Sequence, residues 1–132
     1  MLQSTTIPLL EQVIEFAQAR HTVLAGNIAN LDTPGYRSRD LSVEEFHREL
    51  KEAIAARQQP TVPRSPGDPE PAGRPLAEVA KNCRTMLRHD DNNLGMEYEV
   101  SEMAKNQMQH NLALAIMTSQ FRLLEAAISE RA

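Results

Sequence analysis

The chain has no tryptophan, and only three phenylalanines and two tyrosines among its 132 residues. So few rings cannot fill a large core, so the compact part should be small, with much apolar surface left for partners. A single cysteine, Cys83, excludes an internal disulfide and leaves the compartment open. Long apolar runs are missing too. The longest is Leu112 to Met117, far short of the roughly 18 residues of a membrane-spanning helix, so direct membrane insertion is not expected. The first sixteen residues carry neither a basic leader nor an unbroken apolar stretch, so a cleaved secretory signal is not expected. The net charge is −4, with Lys and Arg mixed among the acids. Without a basic stripe there is no footprint for nucleic-acid phosphates.

Catalytic and metal-binding signatures are equally sparse. The segment His89-Asp90-Asp91-Asn92-Asn93 invites a calcium-loop reading. Counted from Asp91, the sixth position is Met96, where the sharp turn needs glycine. Counted from Asp90, Gly95 fits the sixth position, but the twelfth is Ser101 and offers no bidentate carboxylate. A hydrated loop explains the segment without a metal. His21, His47, His89 and His110 have no ligand spacing. No phosphate-cradling glycine loop or serine nucleophile elbow is present. Six methionines suit adaptable packing. The residues therefore point to a non-enzyme without cofactor or metal.

What the chain does have is two heptad stripes, one at each end. Ile7, Leu10, Ile14, Ala17, His21, Leu24, Ile28 and Leu31 alternate in steps of three and four, the a/d seam of a helix that pairs with another helix. Pro8 suits the first turn, where its missing N–H costs little. The spacing predicts a helix from Ile7 to Leu31, roughly 37 Å at about 1.5 Å per residue. The second stripe is Val100, Met103, Gln107, His110, Leu114, Met117, Phe121, Leu124 and Ile128, a C-terminal packing seam on a helix over 96–132. Glu97, Glu99 and Glu102 lie near its start, where the helix dipole favours acids. Its centre is rich in amides, and polar seam positions fix register at a cost in stability.

Between the stripes the pattern breaks. Thr33 precedes Pro34 and is pushed out of the helical region. Thr33-Pro34-Gly35-Tyr36 reads as a type II turn, with proline fixing φ at its second position and glycine taking the positive φ at its third. Residues 1–41 thus form an N-terminal helix and its turn, and 42–95 a variable middle. Ser42 and Glu45 make a capping box for a short helix over 43–57, with Phe46, Leu50 and Ile54 at helical spacing. Residues 58–75 hold six prolines and read as an extended linker. In the stretch from Leu76 to Asp91 the first part repeats as a helix, while Cys83, Thr85 and Leu87 alternate as a strand. The fold class is mainly α, with the two long end helices pairing as a coiled coil.

The stretch Asn27-Ile28-Ala29-Asn30, followed by Thr33-Pro34-Gly35-Tyr36, resembles the N-terminal signature of bacterial flagellar rod and hook proteins. Asn92 to Leu114 is similar to that family's C-terminal segment, with Glu97, Glu99, Ala104, Asn106 and Gln107 on matching positions. Gly95, Met108 and His110 depart from it, His110 standing where the family has tyrosine. The likeness covers about the first 41 and the last 41 residues. It implies an all-helical structural protein whose end helices pair and pack against copies of itself in a tubular assembly. The short middle, lacking the β-rich insert of longer relatives, suits a proximal rod component. The implied partners are other rod proteins, the membrane-embedded MS ring and its adaptor protein. The implied route is the flagellar type III export apparatus, ending in a rod that spans the periplasm. Under this reading the turn directs each subunit's exit from its core helix, with Asn27 and Asn30 bonding neighbours or capping the helix. A small export chaperone or adaptor is the alternative.

Overall fold

A proline in the first turn opens helix α1, Ile7–Ala29, in the computed structural model, which describes residues 5–58, 67, 76–83, 85–88 and 95–130. The helix stops two residues short of the expected Leu31. Asn30 turns out of it and takes over the last bonds, its amide N–H reaching the Gly26 carbonyl at 3.2 Å and its side-chain Nδ2 donating to the same oxygen at 2.8 Å.

Strand β1, Arg39–Leu41, follows the turn. Helix α2, Val43–Gln58, starts on the serine half of the capping box, the Glu45 N–H donating to Ser42 Oγ at 3.1 Å. The linker read over 58–75 lies outside the described residues except for Gln58, which ends α2, and Gly67. A 3-10 turn, Leu76–Glu78, leads into the single helical turn α3, Val79–Asn82, and then into strand β2, Thr85–Leu87. The ambiguous stretch is thus both things in succession. β1 and β2 pair antiparallel, with Arg39 opposite Leu87 and Leu41 opposite Thr85. The Arg88 N–H extends the ladder to the Ser38 carbonyl. Helix α4, Met96–Ser129, completes the fold, which is mainly helical with one small two-stranded sheet.

The apolar core is small, as the scarcity of rings predicts. Phe16 of α1 and Phe46 of α2 stack face to face, 4.0 Å between ring centres. Leu41, Ala53, Val79 and Ala80 close around them. Fully burying a side chain of this size contributes about 1.5–3 kcal/mol, so this cluster ties the middle segments onto α1. The buried Gln12 side chain serves the same junction, its Oε1 accepting the Ala80 N–H at 3.0 Å.

α4 lies antiparallel along α1. Glu99 meets Asn27 near one end, Asn106 meets Ala17 in the middle, and Ala113 shares a groove wall with Leu10 near the other end. The helices pack along their length, but supercoiling into a coiled coil is not established. The contact face also differs from the expected seam. The α4 residues withdrawn from water are Glu99, Glu102, Met103, Asn106, His110, Ala113, Met117, Gln120 and Leu124. Met103, His110, Met117 and Leu124 belong to the seam. Val100, Gln107, Leu114, Phe121 and Ile128 stand one step round the helix and are exposed. The reason lies on α1, which presents Arg20, Asn27 and the Ala17 carbonyl. These select Glu99, Glu102 and Asn106 over the apolar neighbours.

Averaged over 18 residues, α4 is long and apolar enough to cross a membrane, although no unbroken apolar run comes near that length. Its first half is instead bonded to α1 by the polar groups just named.

Candidate assembly site

The turn after α1 has the geometry its residues dictate. The Tyr36 N–H closes it on the Thr33 carbonyl at 3.2 Å, and Gly35 sits at φ +75°, where a side chain at Cβ is disfavoured. Thr33 is tied back to the helix end, its N–H donating to the Asn30 carbonyl at 3.0 Å and its hydroxyl to Asn30 Oδ1 at 3.3 Å. Asn30 therefore spends its side chain on the cap and the turn.

Asn27 sits one turn earlier and is fully buried. Its Oδ1 accepts the Tyr36 hydroxyl at 3.1 Å and the Arg39 N–H at 3.0 Å. Its Nδ2 donates to the Arg39 carbonyl and to Glu99 Oε2, the latter at 3.2 Å. All four hydrogen-bonding positions of this amide are used. One side chain thus fixes the helix, the turn, the strand and α4 relative to one another. Tyr36 lies over Gly26, where a Cβ would be 3.9 Å from the tyrosine oxygen. Ile28 is half-buried, while Ala29, Pro34 and Gly35 are exposed.

Beside Asn27 runs an ionic network. Arg20 grips Asp40 with two hydrogen bonds, 2.9 and 3.0 Å, and reaches Glu102 at 2.9 Å. Arg88 joins Asp40 at 2.9 Å to Glu99 at 2.7 Å, and its guanidinium lies 4.8 Å from the centre of the Tyr98 ring. Lys105 closes the far end on Glu102 at 2.7 Å. Three cations thus meet three carboxylates. Burial pushes the Asp40 carboxyl up, but hydrogen bonds from Arg20 and Arg88 outweigh it and hold its pKa below the usual range. Glu102 is also lowered, chiefly by the hydrogen bond from Lys105, with burial opposing and Arg20 adding to it. Arg20 is held still more firmly protonated than a free arginine by its bond to Asp40. The network joins α1, the strand pair and α4 through charge-assisted bonds of fixed geometry. An open cleft of about 360 Å³ borders it, with Asp40 and Arg88 in its lining, and among the described residues no three His, Cys, Asp or Glu side chains converge to hold a metal ion.

A family model described as flagella basal body rod protein matches residues 17–37, the stretch from mid-α1 through the turn. The chain is 31% identical to the flagellar basal body rod protein FlgB of Aquifex aeolicus, over 96% of this chain and 94% of the relative. The chain belongs to the flagellar basal body rod protein family. More distant members give the same answer: it is 27% identical to the Escherichia coli FlgB over 85% of this chain and 84% of the relative, and 23% identical to the Bacillus subtilis FlgB over 97% and 96%.

In this rod-family chain, the motif residues Asn27, Asn30, Thr33 and Tyr36 converge at one end of the α1–α4 pair. The seam residues lie elsewhere, strung along α4 and mostly facing away from α1. Residues that the sequence reading passed over are Arg20, Asp40, Arg88 and Glu102 in this bonding role. Arg20 had a signal: it lies on the helical face between Phe16 and Leu24, where a charge requires a partner. Arg88 had none, because the strand pairing that delivers it spans almost fifty residues.

Proposed function

We propose that the protein is a structural subunit of the proximal rod of the bacterial flagellar basal body, built into the helical drive shaft that motility requires. The observation that carries this is the second half of α4. Leu112, Leu114, Ile116, Phe121, Leu123 and Ile128 are all exposed and, at about 100° per residue, fall on two opposite flanks of the helix. Apolar flanks on a helix call for cover, and within this chain only the side facing α1 is covered. α4 spans roughly 51 Å and α1 roughly 35 Å at about 1.5 Å per residue, so antiparallel pairing leaves the end of α4 without α1 beside it. Neighbouring subunits in a tubular assembly supply the missing cover. The Asn27 hub and the turn fix the direction in which the chain leaves α1, and so the placing of its outer segments against those neighbours.

On this reading the chain contacts copies of itself, other rod proteins, and the MS ring with its adaptor. It travels through the flagellar export apparatus and comes to span the periplasm. It does so as a scaffold, with no catalytic step and no cofactor. The relatives' names, all rod proteins, favour this over an export chaperone or adaptor.

Removing the chain from Phe121 onward tests it. In flagellated cells deleted for their own copy, the full chain should restore rods on isolated basal bodies. The truncated chain should fold and be exported but fail to join them. Normal rods containing the truncated chain would refute the role given to the end of α4.

A further inference from the structure

Between α1, α2 and the middle of α4 runs an apolar groove of about 180 Å³, with Phe16, Phe46, His47, Leu112, Ala113 and Ile116 among its lining residues. An engineered apolar cavity of about 150 Å³ takes up benzene, so this groove has room for one aromatic ring. The chain's own rings are nearly all engaged. Phe16 and Phe46 stack on each other, Tyr36 bonds to Asn27, and Tyr98 lies beneath Arg88. Among the described residues, Phe121 alone has no ring or polar engagement, and it is 48% exposed. It cannot enter its own groove. It lies on the same continuous helix as the lining residue Ile116, five residues on and about 140° round at 3.6 residues per turn.

We propose that Phe121 of a second copy of this chain seats in the groove, with its ring against the Phe16–Phe46 stack. Charge supports that occupant. No Asp, Glu, Lys or Arg lines the groove. Between Asn106 and Phe121, α4 carries none either, and the face of α4 that holds Phe121 continues through Met117, Leu124 and Ile128. The groove is also continuous with the α1–α4 interface, since Leu10, Ala17 and Ala113 belong to both. Donor and acceptor sites differ, so the contact is head-to-tail, and such contacts extend rather than close. The exposed large apolar side chains from Met108 to Ile128 amount to roughly 700 Å² at about 150–200 Å² each, and they face several directions. A stable pairwise interface buries about 800 Å² per partner. Two copies alone therefore pair weakly, and the contact strengthens only when several neighbours surround α4. The proposal rests on the rod reading and specifies one contact within it.

The test places a photoreactive benzoylphenylalanine at position 121 and irradiates a mixture of ¹⁴N- and ¹⁵N-labelled full-length chains at high concentration. Mixed-isotope crosslinks should map to Phe46–His47 or Leu112–Ile116. Crosslinks within one chain only, between copies but outside the groove, or none at all would overturn the seat. Phe121→Ala and Leu112→Trp both alter exposed positions and should leave the helical circular dichroism unchanged. Each should weaken self-association, read by sedimentation, at least about tenfold, as loss of an interface anchor does. Unchanged association in both would overturn the proposal. Basal bodies separate this contact from the rod reading. A wild-type chain that enters rods while its crosslinks miss the groove removes the seat alone, and a chain absent from rods removes the rod reading itself.

Discussion

Replacing Arg20 with methionine keeps much of the side chain's length and removes its charge from beneath Asp40 and Glu102. The Arg20 side chain is 7% exposed, Asp40 20% and Glu102 14%, so water replaces little of what is lost. Breaking a buried pair by deleting one partner typically costs 3–5 kcal/mol. Here both carboxylates keep a second cation, Asp40 through Arg88 and Glu102 through Lys105, which reduces the expected loss to about 2–4 kcal/mol. Against a total stability of about 5–15 kcal/mol for a domain, that is easily measured by urea unfolding followed at 222 nm. The midpoint should fall with the denaturant slope unchanged.

Acid supplies the second arm of this test. Asp40 and Glu102 have native pKa values below their ordinary ones. Their contribution is therefore complete above the ordinary carboxylate range of about pH 4, and is lost as pH falls through the lowered native values. The wild-type chain should lose stability steeply on acidification below about pH 4. The Arg20→Met chain, with its carboxylates less depressed, should lose less. A methionine variant within about 1 kcal/mol of wild type at neutral pH, with the same acid profile, would refute the claim that the network clamps α4 to the strand pair.

Other expectations follow from single residues. Gly35→Val should destabilise by roughly 1–2 kcal/mol, because a Cβ at φ +75° is strained although nothing lies within 4 Å of it. Gly35→Asn should cost clearly less, and equal melting temperatures for the two would remove the turn argument. Gly26→Ala should stabilise by about 1 kcal/mol in thermal melts, since it fills open space in α1 and its Cβ makes only an ordinary contact with Tyr36; a lower melting temperature would contradict this. Asn27→Leu should cost about 1–3 kcal/mol by leaving the part-buried Arg39 amide without its acceptor. Unchanged hydrogen-exchange protection of the Arg39 amide would show that the hub is not what holds β1.

The helices were legible because their signals are local. Pro8, the Ser42–Glu45 box and the return of a 3.6-residue period after Gly95 each mark a boundary within one turn of the chain. Strand β1 was not legible. Arg39-Asp40-Leu41 is too short to alternate, and it is a strand only because Thr85–Leu87 arrives beside it. The same long-range closure hid the ionic network, whose members come from α1, β1, the end of β2 and the start of α4. In the turn motif, residue types carried the conformation of Gly35, but left open whether Asn30 bonds neighbours or caps the helix, and within the chain it caps. They did not carry the partners of Asn27, which depend on where the chain goes after Tyr36.

The displaced seam on α4 has the most physical content. A heptad pattern fixes the spacing of a stripe better than its direction, because two registers one residue apart share half their positions. Met103, His110, Met117 and Leu124 serve both. What chooses between them is the facing helix, and α1 offers a charge, an amide and a backbone carbonyl. These pair with Glu99, Glu102 and Asn106, leaving Val100, Leu114, Phe121 and Ile128 in water. Buried polar pairs contribute little net stability relative to apolar packing, but they define register. Within one chain, then, α4 is positioned by polar bonds while much of its apolar surface stays unused. That division suits a subunit that must be correctly shaped before its neighbours arrive and becomes firmly held only among them.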